Sequence, residues 1–441
     1  MVVVKAKTVK EMKMGQRNWQ FCGYVKTVVS CHHRIFCLIL LAAIVLFMYI
    51  GCGGGGGGGE AVPLPPLSVH GKTYGGTGDD YAWSAQQTID GGYIFAGSTT
   101  SAGAGGYDAW VVKTDASGNV ALKKTFGTSG NDFAFSVQQT TDGGYIVAGV
   151  NNTSLVLYPG FFIPGDYEGE LSLRKLDMSL NLTWETKMGP DDVYPISMAY
   201  TVQQTADSGY VVAGSAGYNL GGGYPLLLKI DAAGGILWNV LFPDGGLGSG
   251  VRQVADGGYI VSTLGLLTPN LIKTGSGGAL VWESTLGLEW EHLHSVPCMS
   301  VWNTSDGGFA VTGGIDANSG DVLVTKTAAD GTIIWEHTFG SPGGDIGYSI
   351  QQVSDNGYIV VGGGGSGGGP NHLGDVYLLK LDGAGNLIWE RYFGGYGDDI
   401  GRSVRQTSDG GYILAGSTTS AGAGGVDAYL IKTDAAGVPA W

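Results

Sequence analysis

One repeating pattern accounts for most of this chain. Self-similar units of 44 to 62 residues follow one another without interruption, and the best-preserved copy starts at Arg391. A repeat of this length is a supersecondary unit that buries its apolar face only by stacking on its neighbours. Residues 69–441 are therefore predicted to form one body. Its seven units begin near Lys72, Lys124, Thr186, Val240, Ser284, His337 and Arg391.

Each unit contains four strand-like runs separated by turn residues. In the last copy the first two runs flank Ser408–Gly410, and an Asp-Gly pair between β-like segments is a strong hairpin signal. Four antiparallel strands recurring every 40 to 60 residues are typical of propeller blades. The sequence thus predicts an all-β, seven-bladed β-propeller, with a β-solenoid as the structural alternative. The predicted strands of the last copy are Ser403–Thr407, Gly411–Ser417, Asp427–Thr433 and Val438–Trp441.

The phase of the repeat predicts how the ring closes. The chain ends at Trp441, where the other units continue into a Lys-Thr-Phe-Gly-like run, and the first unit begins with that run at Lys72–Gly75. The two ends can therefore complete one outer strand together. Closure removes sheet edges that would otherwise invite aggregation.

An Asp, a Gly and a Trp recur at fixed spacing between the third and fourth strands, as in residues 229–238, 380–389 and 432–441. Trp also occupies this place at 184, 282 and 335, whereas the first unit has Leu122. The pattern resembles the tryptophan-docking motif of quinoprotein-type propellers. That resemblance implies an indole packed between neighbouring blades, and it bears on the fold and not on activity.

The N-terminal region has the features of an export signal. Basic residues ending at Arg34 precede the uncharged, mostly apolar run Ile35–Gly51, which is at the lower limit for spanning a bilayer, about 17 residues. The Gly51-Cys52 pair after it resembles the bacterial lipoprotein box, although Tyr49 stands where that family prefers an aliphatic residue. The resemblance implies cleavage before Cys52 and its acylation; an uncleaved single-pass anchor is the alternative.

These features predict three segments: residues 1–51 as a signal peptide or anchor helix, 52–68 as a lipidated Cys with a Gly- and Pro-rich linker, and 69–441 as the propeller. We expect the protein to lie in a bacterial cell envelope, contacting the membrane through its lipid or its N-terminal anchor. Residues 1–51 hold seven Lys or Arg and one acid; the remainder has 23 − 7 = 16 basic and 38 − 1 = 37 acidic residues, a net charge of −21. Such a body repels nucleic acid, which is excluded as a partner.

Antiparallel alternation places the short turns at one end of the blades and the long Gly-rich loops at the other. The long-loop face is the predicted ligand face, because binding residues concentrate on loops carried by a rigid scaffold. Two unique stretches fall there, 151–168 and 288–298. The first could instead fold over the channel mouth. Candidate binding residues in these stretches are Tyr158, Phe161, Phe162, Tyr167 and Trp290.

Metal-competent side chains occur in the second of these stretches, although a surface role is the alternative. They are Glu289, Glu291, His292 and His294, with Cys298 nearby. The pairs Asp79-Asp80, Asp191-Asp192 and Asp398-Asp399 could bind Ca²⁺ or serve as ordinary turn residues. No cofactor is predicted, and Ca²⁺ is kept as the alternative. The recurring Gln pairs of the innermost strands are expected to hydrogen-bond around the channel, or else to line a polar ligand tunnel. These pairs begin at Gln86, Gln138, Gln203 and Gln351.

The functional prediction is an envelope-tethered binding or scaffold module for protein or polysaccharide. No P-loop, dinucleotide fingerprint or nucleophile elbow is present in the sequence, so an enzyme is the less favoured reading. The alternative is a glycoside hydrolase of the endoglucanase type, which would need two loop carboxylates about 5–10 Å apart. A metal-stabilised adhesion module is the third hypothesis.

Overall fold

The structure is a computed structural model. It describes residues 70–154, 157–158, 161–162, 169–189, 196–217, 223–243, 246–264, 269–286, 300–315, 321–340, 344–364 and 374–441. Residues Pro66–Trp441 group into one compact unit. Across the described residues, no helix is both long enough and apolar enough to cross a membrane. The run Ile35–Gly51 and Cys52 lie outside them.

The described chain folds into seven four-stranded antiparallel sheets, which confirms the predicted propeller. In chain order the strands are β1 (Lys72–Tyr74), β2 (Asp80–Gln87), β3 (Tyr93–Thr99), β4 (Asp108–Thr114), β5 (Val120–Phe126), β6 (Asn131–Gln139), β7 (Tyr145–Thr153), β8 (Leu157–Tyr158), β9 (Phe161–Phe162), β10 (Glu170–Leu176), β11 (Leu182–Met188), β12 (Ile196–Gln204), β13 (Tyr210–Gly217), β14 (Tyr224–Ile230), β15 (Ile236–Leu241), β16 (Leu247–Gln253), β17 (Tyr259–Leu264), β18 (Pro269–Thr274), β19 (Leu280–Thr285), β20 (Ser300–Asn303), β21 (Phe309–Ile315), β22 (Asp321–Thr327), β23 (Ile333–Phe339), β24 (Ile346–Gln352), β25 (Tyr358–Gly364), β26 (Asp375–Leu381), β27 (Leu387–Phe393), β28 (Asp399–Gln406), β29 (Tyr412–Thr418) and β30 (Asp427–Thr433).

The strands group into blades nearly in chain order. Blade 1 comprises β2–β5, blade 2 comprises β6, β7, β10 and β11, and blades 3 to 6 follow as β12–β15, β16–β19, β20–β23 and β24–β27. Blade 7 combines β28–β30 with β1, and β8 pairs with β9 as a separate ribbon.

The first strand of each blade is innermost. These strands contact one another around a ring in the order β2, β6, β12, β16, β20, β24, β28 and back to β2. The second and third strands are almost wholly buried, because side chains on both faces pack against neighbouring blades, whereas the fourth strands are largely exposed. The apolar core therefore lies between blades, as in the cluster that joins Leu171 of blade 2 to Leu228 of blade 3.

The two chain ends share the outer strand of blade 7, as the repeat phase predicts. At one end of this strand, Lys72–Tyr74 pairs with Ala428–Leu430. At the other end, the Lys432 amide donates to Trp441 O at 3.2 Å and the Ala440 amide donates to Lys432 O at 2.7 Å. The predicted strand Val438–Trp441 is thus reduced to a short bridged segment, because Lys72–Tyr74 takes the remaining pairing positions.

An ion pair ties the first turn of each blade to its third strand. In blade 3, Lys229 Nζ lies 2.9 Å from Asp207 Oδ2, and the lysine side chain is 4% exposed whereas the aspartate is 58% exposed. The glycine before each second strand permits this approach: a Cβ on Gly92 would lie 2.2 Å from Thr114 O. The Asp of each turn therefore does more than shape the turn. The pairs are Lys113–Asp90, Lys175–Asp142, Lys229–Asp207, Lys273–Asp256, Lys326–Asp306, Lys380–Asp355 and Lys432–Asp409.

The fourth-strand tryptophans pack between blades. The Trp184 ring lies 5.7 Å from the Tyr210 ring of the next blade, and a Cβ on Gly234 would lie 2.9 Å from that indole. Glycine is required at this turn for two reasons: a Cβ would clash with the indole, and the φ of +93° is a backbone conformation that other residues rarely adopt. The same indole-on-glycine contact recurs for Trp238, Trp282, Trp335, Trp389 and Trp441 with Gly278, Gly331, Gly385, Gly437 and Gly118.

The interface between blades 1 and 2 is packed by a leucine side chain in place of a tryptophan. Leu122 replaces the tryptophan, and Leu180, with a φ of +63°, replaces the turn glycine. Leu180 is 1% exposed and joins the apolar cluster that contains Tyr145, the residue equivalent to Tyr210. A side chain on the turn therefore fills the space that an indole fills at the other six interfaces.

Candidate functional site

The innermost strands hold the blades together through two rings of glutamine, which confirms the predicted bonding around the channel. In the ring nearer the short turns, each Gln side-chain carbonyl accepts a hydrogen bond from a backbone N–H of the preceding blade. The Ile89 amide donates to Gln139 Oε1 at 2.9 Å, for example, and the Ser408 amide donates to Gln87 Oε1 at 2.7 Å across the closure. The other acceptors are Gln204, Gln253, Gln352 and Gln406; between blades 4 and 5, Asn303 donates to Gln253 O instead.

The second ring lies one residue earlier in each strand. Its carbonyls accept from the innermost strand of the following blade: the Gln204 amide donates to Gln138 Oε1 at 2.6 Å, and the Gln253 amide donates to Gln203 Oε1 at 2.7 Å. Gln351 accepts in the same way from the Gln406 amide at 2.8 Å. Residues that repeat at this position are therefore explained by blade assembly.

Three blades break this second ring. Arg252, Trp302 and Arg405 occupy the position in blades 4, 5 and 7 that glutamine holds in the other four. Neither an arginine nor a tryptophan side chain offers the acceptor that the glutamine carbonyl supplies. The acceptor role of the repeated glutamine thus does not account for these three residues, which we call the Arg–Trp–Arg cluster.

The three side chains of the Arg–Trp–Arg cluster converge. The guanidinium carbon of Arg252 lies 4.3 Å from the Trp302 ring centroid, and that of Arg405 lies 5.0 Å from it. Arg405 Nη1 also donates to Ser349 Oγ at 3.3 Å and to Val404 O at 2.7 Å. The Arg252 Nε group is buried, and no described residue offers it a hydrogen-bond acceptor. Within the described part of the chain, neither arginine forms an ion pair.

Burial dominates the electrostatics of the Arg–Trp–Arg cluster. Loss of hydration, and secondarily the nearby charge of Arg405, lower the pKa of Arg252 to about 9. Burial lowers the pKa of Arg405 to about 10. Both side chains are still cationic at pH 7, so two positive charges face one space in an otherwise acidic body.

That space is a cavity of about 300 Å³ in the central channel. Hydroxyl and amide groups line the side opposite the Arg–Trp–Arg cluster, and no Asp or Glu is among the described residues that surround it. The lining comprises Ser84, Ala85, Gln86, Ser136, Val137, Gln138, Thr201, Val202, Gln203, Arg252, Trp302, Asn303 and Arg405.

An aromatic layer lies next to the cavity, toward the long-loop end of the strands. A β-bulge in the innermost strand places one extra residue there, as at Trp83 between Ala82 and Ser84. Trp83 packs edge-on against Phe135 with 5.6 Å between centroids, and Phe135 lies 5.4 Å from Tyr200. Arg402, at the same register in blade 7, lies 4.1 Å above Trp83. Bulge residues thus join blades 7, 1, 2 and 3.

Three of the residues predicted as candidates from the unique loops lie within the described part of the chain. Tyr158, Phe161 and Phe162 lie in the β8–β9 ribbon, where the backbone pairs Leu157 with Phe162 and Tyr158 with Phe161. The other candidates, and the lipid-attachment residue Cys52, lie outside the described residues. These are Tyr167, Trp290, Glu289, Glu291, His292 and His294.

The acidic pairs act as loop caps where they are described. Asp80 Oδ2 accepts from the Gly76 amide at 2.9 Å and from Ser101 Oγ at 2.6 Å, and Asp399 repeats both bonds. Asp79 Oδ1 accepts from the Val426 amide at 3.0 Å. Over the described ranges no three His, Cys, Asp or Glu side chains group as metal ligands would. Asp191-Asp192 lies outside those ranges.

The Arg–Trp–Arg cluster is not among the residues predicted from the sequence, although the sequence carries a signal for it. Inserted loops are conspicuous departures from the repeat because they change the length of a unit. Substitutions within a strand preserve the length, and they become visible only when the seven Gln positions are aligned. The tertiary contact between Arg405 and Trp302, two blades apart, then shows that they belong together.

Comparison with known proteins establishes the fold alone. No protein-family model matches the chain, and no curated protein matches it. The streptogramin B lyase structure is 13% identical with a TM-score of 0.51, over 83% of this chain and 97% of that one. Sqt1 of Chaetomium thermophilum bound to the N-terminus of ribosomal protein L10 is 12% identical, with a TM-score of 0.49 over 85% and 90%. A protein of unknown function from Bacteroides caccae is 14% identical, with a TM-score of 0.42 over 61% and 88%. At these identities the chain is similar to them as a β-propeller and in nothing more specific.

Proposed function

We propose that this protein is an exported binding propeller that holds a group of its ligand in the central channel, at the Arg–Trp–Arg cluster. One observation carries the proposal: the three blades that give up the interblade glutamine place their replacements against one another. Each replacement forgoes the backbone-to-carbonyl hydrogen bond that the glutamine accepts in other blades, although Arg405 donates a bond of its own to Ser349 of blade 6. Such a loss is expected where binding, and not assembly, sets the residue.

The partner class follows from the lining of the cavity. Its polar groups suit a ligand rich in hydroxyl or amide groups, which a protein or a polysaccharide can present. No carboxylate is among the described residues that line the cavity, so the cavity itself supports binding and gives no support for hydrolysis.

A glycan array tests the channel assignment directly. Residues 66–441 contain the closed ring and the whole interblade core, so this segment is expected to fold by itself. The triple variant R252Q/W302Q/R405Q restores the glutamine that the repeat uses, and R391Q is the matched control on an outer strand. We expect glycans retained by the wild type and by R391Q to be lost by the triple variant. Equal retention by all three proteins would show that the channel is not the binding site.

The tether is a separate part of the proposal. Support comes from the apolar run and the Gly51-Cys52 pair, which resemble a lipoprotein signal, and a lipid there would hold the propeller on the envelope. Metabolic labelling with a palmitate analogue is expected to mark the full chain and to leave Cys52→Ala unlabelled. Labelling of both proteins would remove Cys52 as the attachment site.

A further inference from the structure

On the premise of the proposed function, that the channel binds a ligand, we propose that this ligand presents an oxyanion to Arg252 and Arg405 and that the rest of it is hydroxyl-rich, as in an acidic sugar. The oxyanion is a carboxylate or a phosphate group. A binding function by itself does not specify this class of ligand.

Several hydrogen-bond donors around the cavity have no acceptor among the described residues. The side-chain carbonyls of Gln138 and Gln203 are used by backbone amides, while their Nε2 groups donate to no described residue. Arg252 Nε is likewise buried without a described acceptor, and Asn303 Oδ1 is a buried acceptor without a described donor. Such a lining is suited to a ligand that mainly accepts hydrogen bonds and also carries hydroxyl groups that can donate.

The charge of the two arginines also favours an oxyanion. A buried charge without a partner of opposite charge is costly. The two arginines have no carboxylate partner among the described residues, so they carry this cost when no ligand is bound. Arg252 and Arg405 are cationic at neutral pH even though burial lowers the pKa of each. An oxyanion between them would supply the missing negative charge, and charge-assisted hydrogen bonds of this kind are about twice as strong as neutral ones.

The two guanidinium groups are held in place by neighbouring residues. Trp302 lies against both guanidinium groups, at 4.3 Å and 5.0 Å, which restrains two long side chains that would otherwise lose rotamer freedom on binding. Arg405 is further fixed by its bonds to Ser349 and Val404. The planar guanidinium groups are therefore held in position before a ligand binds, which favours the recognition of a carboxylate or phosphate by paired hydrogen bonds.

The opposite wall of the cavity favours a sugar over a hydrophobic acid. Hydroxyl groups of Ser84, Ser136 and Thr201 and the amides of Gln86 and Gln138 line it. Ser84 Oγ and Ser136 Oγ accept backbone amides of the next blade at 3.4 Å and 3.3 Å, which leaves their hydroxyl protons for a ligand. A polar wall facing two cations is complementary to a molecule with one acidic group and several hydroxyls.

Titration calorimetry with small probes tests the proposal on residues 66–441. D-glucuronate, D-glucose and inorganic phosphate are compared at one ionic strength set with NaCl, because residues 66–441 hold 16 basic and 37 − 1 = 36 acidic residues, a net charge of −20 that repels anions generally. We expect glucuronate to bind at least about tenfold more tightly than glucose. The R252Q/R405Q variant should weaken glucuronate by about tenfold or more, and R391Q should leave it unchanged.

The variants are designed so that the outcomes separate. Circular dichroism confirms folding of R252Q/R405Q, and R252K/R405K, which retains both charges but not the planar fork, is expected to bind with intermediate affinity. If phosphate is the only probe that binds, and R252Q/R405Q loses this binding, the oxyanion proposal is supported and the ligand is a phosphorylated one. If glucose and glucuronate bind equally and W302Q abolishes the binding of both, the oxyanion proposal is wrong, while the proposed binding function of the channel is still supported. Binding of glucuronate that R252Q/R405Q does not weaken, or no binding of any probe, overturns the oxyanion proposal as well.

Discussion

The two members of the repeated lysine–aspartate pair are predicted to have unequal effects on stability when each is replaced. In blade 3, Lys229 Nζ lies 2.9 Å from Asp207 Oδ2 and also donates to Thr205 Oγ1 at 3.1 Å and to Ile230 O at 3.2 Å. The ammonium is buried, whereas the carboxylate is 58% exposed. Asp207→Asn therefore strands a buried cation, while Lys229→Met returns the carboxylate to water. We expect the first substitution to cost more than the second.

The magnitude follows from the titration of Asp207. Burial raises its pKa, but hydrogen bonds from Thr205, Lys229 and the Gly209 amide outweigh this and hold the pKa at about 2, against 3.8 for the free group. That difference corresponds to about 2.4 kcal/mol, which we reduce to about 1 kcal/mol because solvent screens a half-exposed carboxylate. The stranded ammonium adds about 1 kcal/mol, so Asp207→Asn should cost about 2 kcal/mol and Lys229→Met about 1 kcal/mol.

Urea unfolding of residues 66–441, followed by tryptophan fluorescence and circular dichroism, measures both costs and their coupling in the double variant. The folded pKa of Asp207 lies below the unfolded value, so its contribution is complete above about pH 4 and is lost as the pH falls toward 2. About half of the charge contribution should therefore be gone at pH 3. A Lys229→Met variant as unstable as Asp207→Asn would refute the reasoning. An Asp207→Asn cost that is the same at pH 3 and pH 7 would refute it too.

Three further predictions concern the interfaces and the channel. Leu180→Gly should destabilise the propeller by about 2–4 kcal/mol in urea unfolding, and adding Leu122→Trp should restore much of this by recreating the indole-on-glycine contact; no recovery would contradict the packing equivalence. Arg252→Gln should raise the ligand-free melting temperature, because it removes a desolvated charge and restores an amide acceptor, and a lower melting temperature would count against that account. Deleting residues 70–74, which supply part of the outer strand of blade 7, should lower the melting temperature and increase aggregation measured by light scattering, since it exposes a strand edge; unchanged behaviour would show that ring closure does not depend on this pairing.

The sequence predicted the blade count, the hairpins and the shared outer strand because each depends on local signals. Asp-Gly turns such as Asp409-Gly410 specify hairpins, and the repeat phase at Trp441 and Lys72 specifies closure. It also identified the Gln pairs as channel residues. Strand ends were less well predicted: the innermost strand of blade 7 starts at Asp399 and not at Ser403, since the bulge before Ser403 keeps the earlier residues paired.

The candidate site could not be predicted in the same way. Its residues are 50 to 153 positions apart in the chain, and only an alignment of the seven Gln positions shows that they depart from the repeat. By itself the sequence determined that seven similar units would form blades, because turn chemistry and alternation act within one unit. Only the closed ring decided that Arg252, Trp302 and Arg405 share one cavity, because circular packing makes neighbours of residues that no local pattern connects.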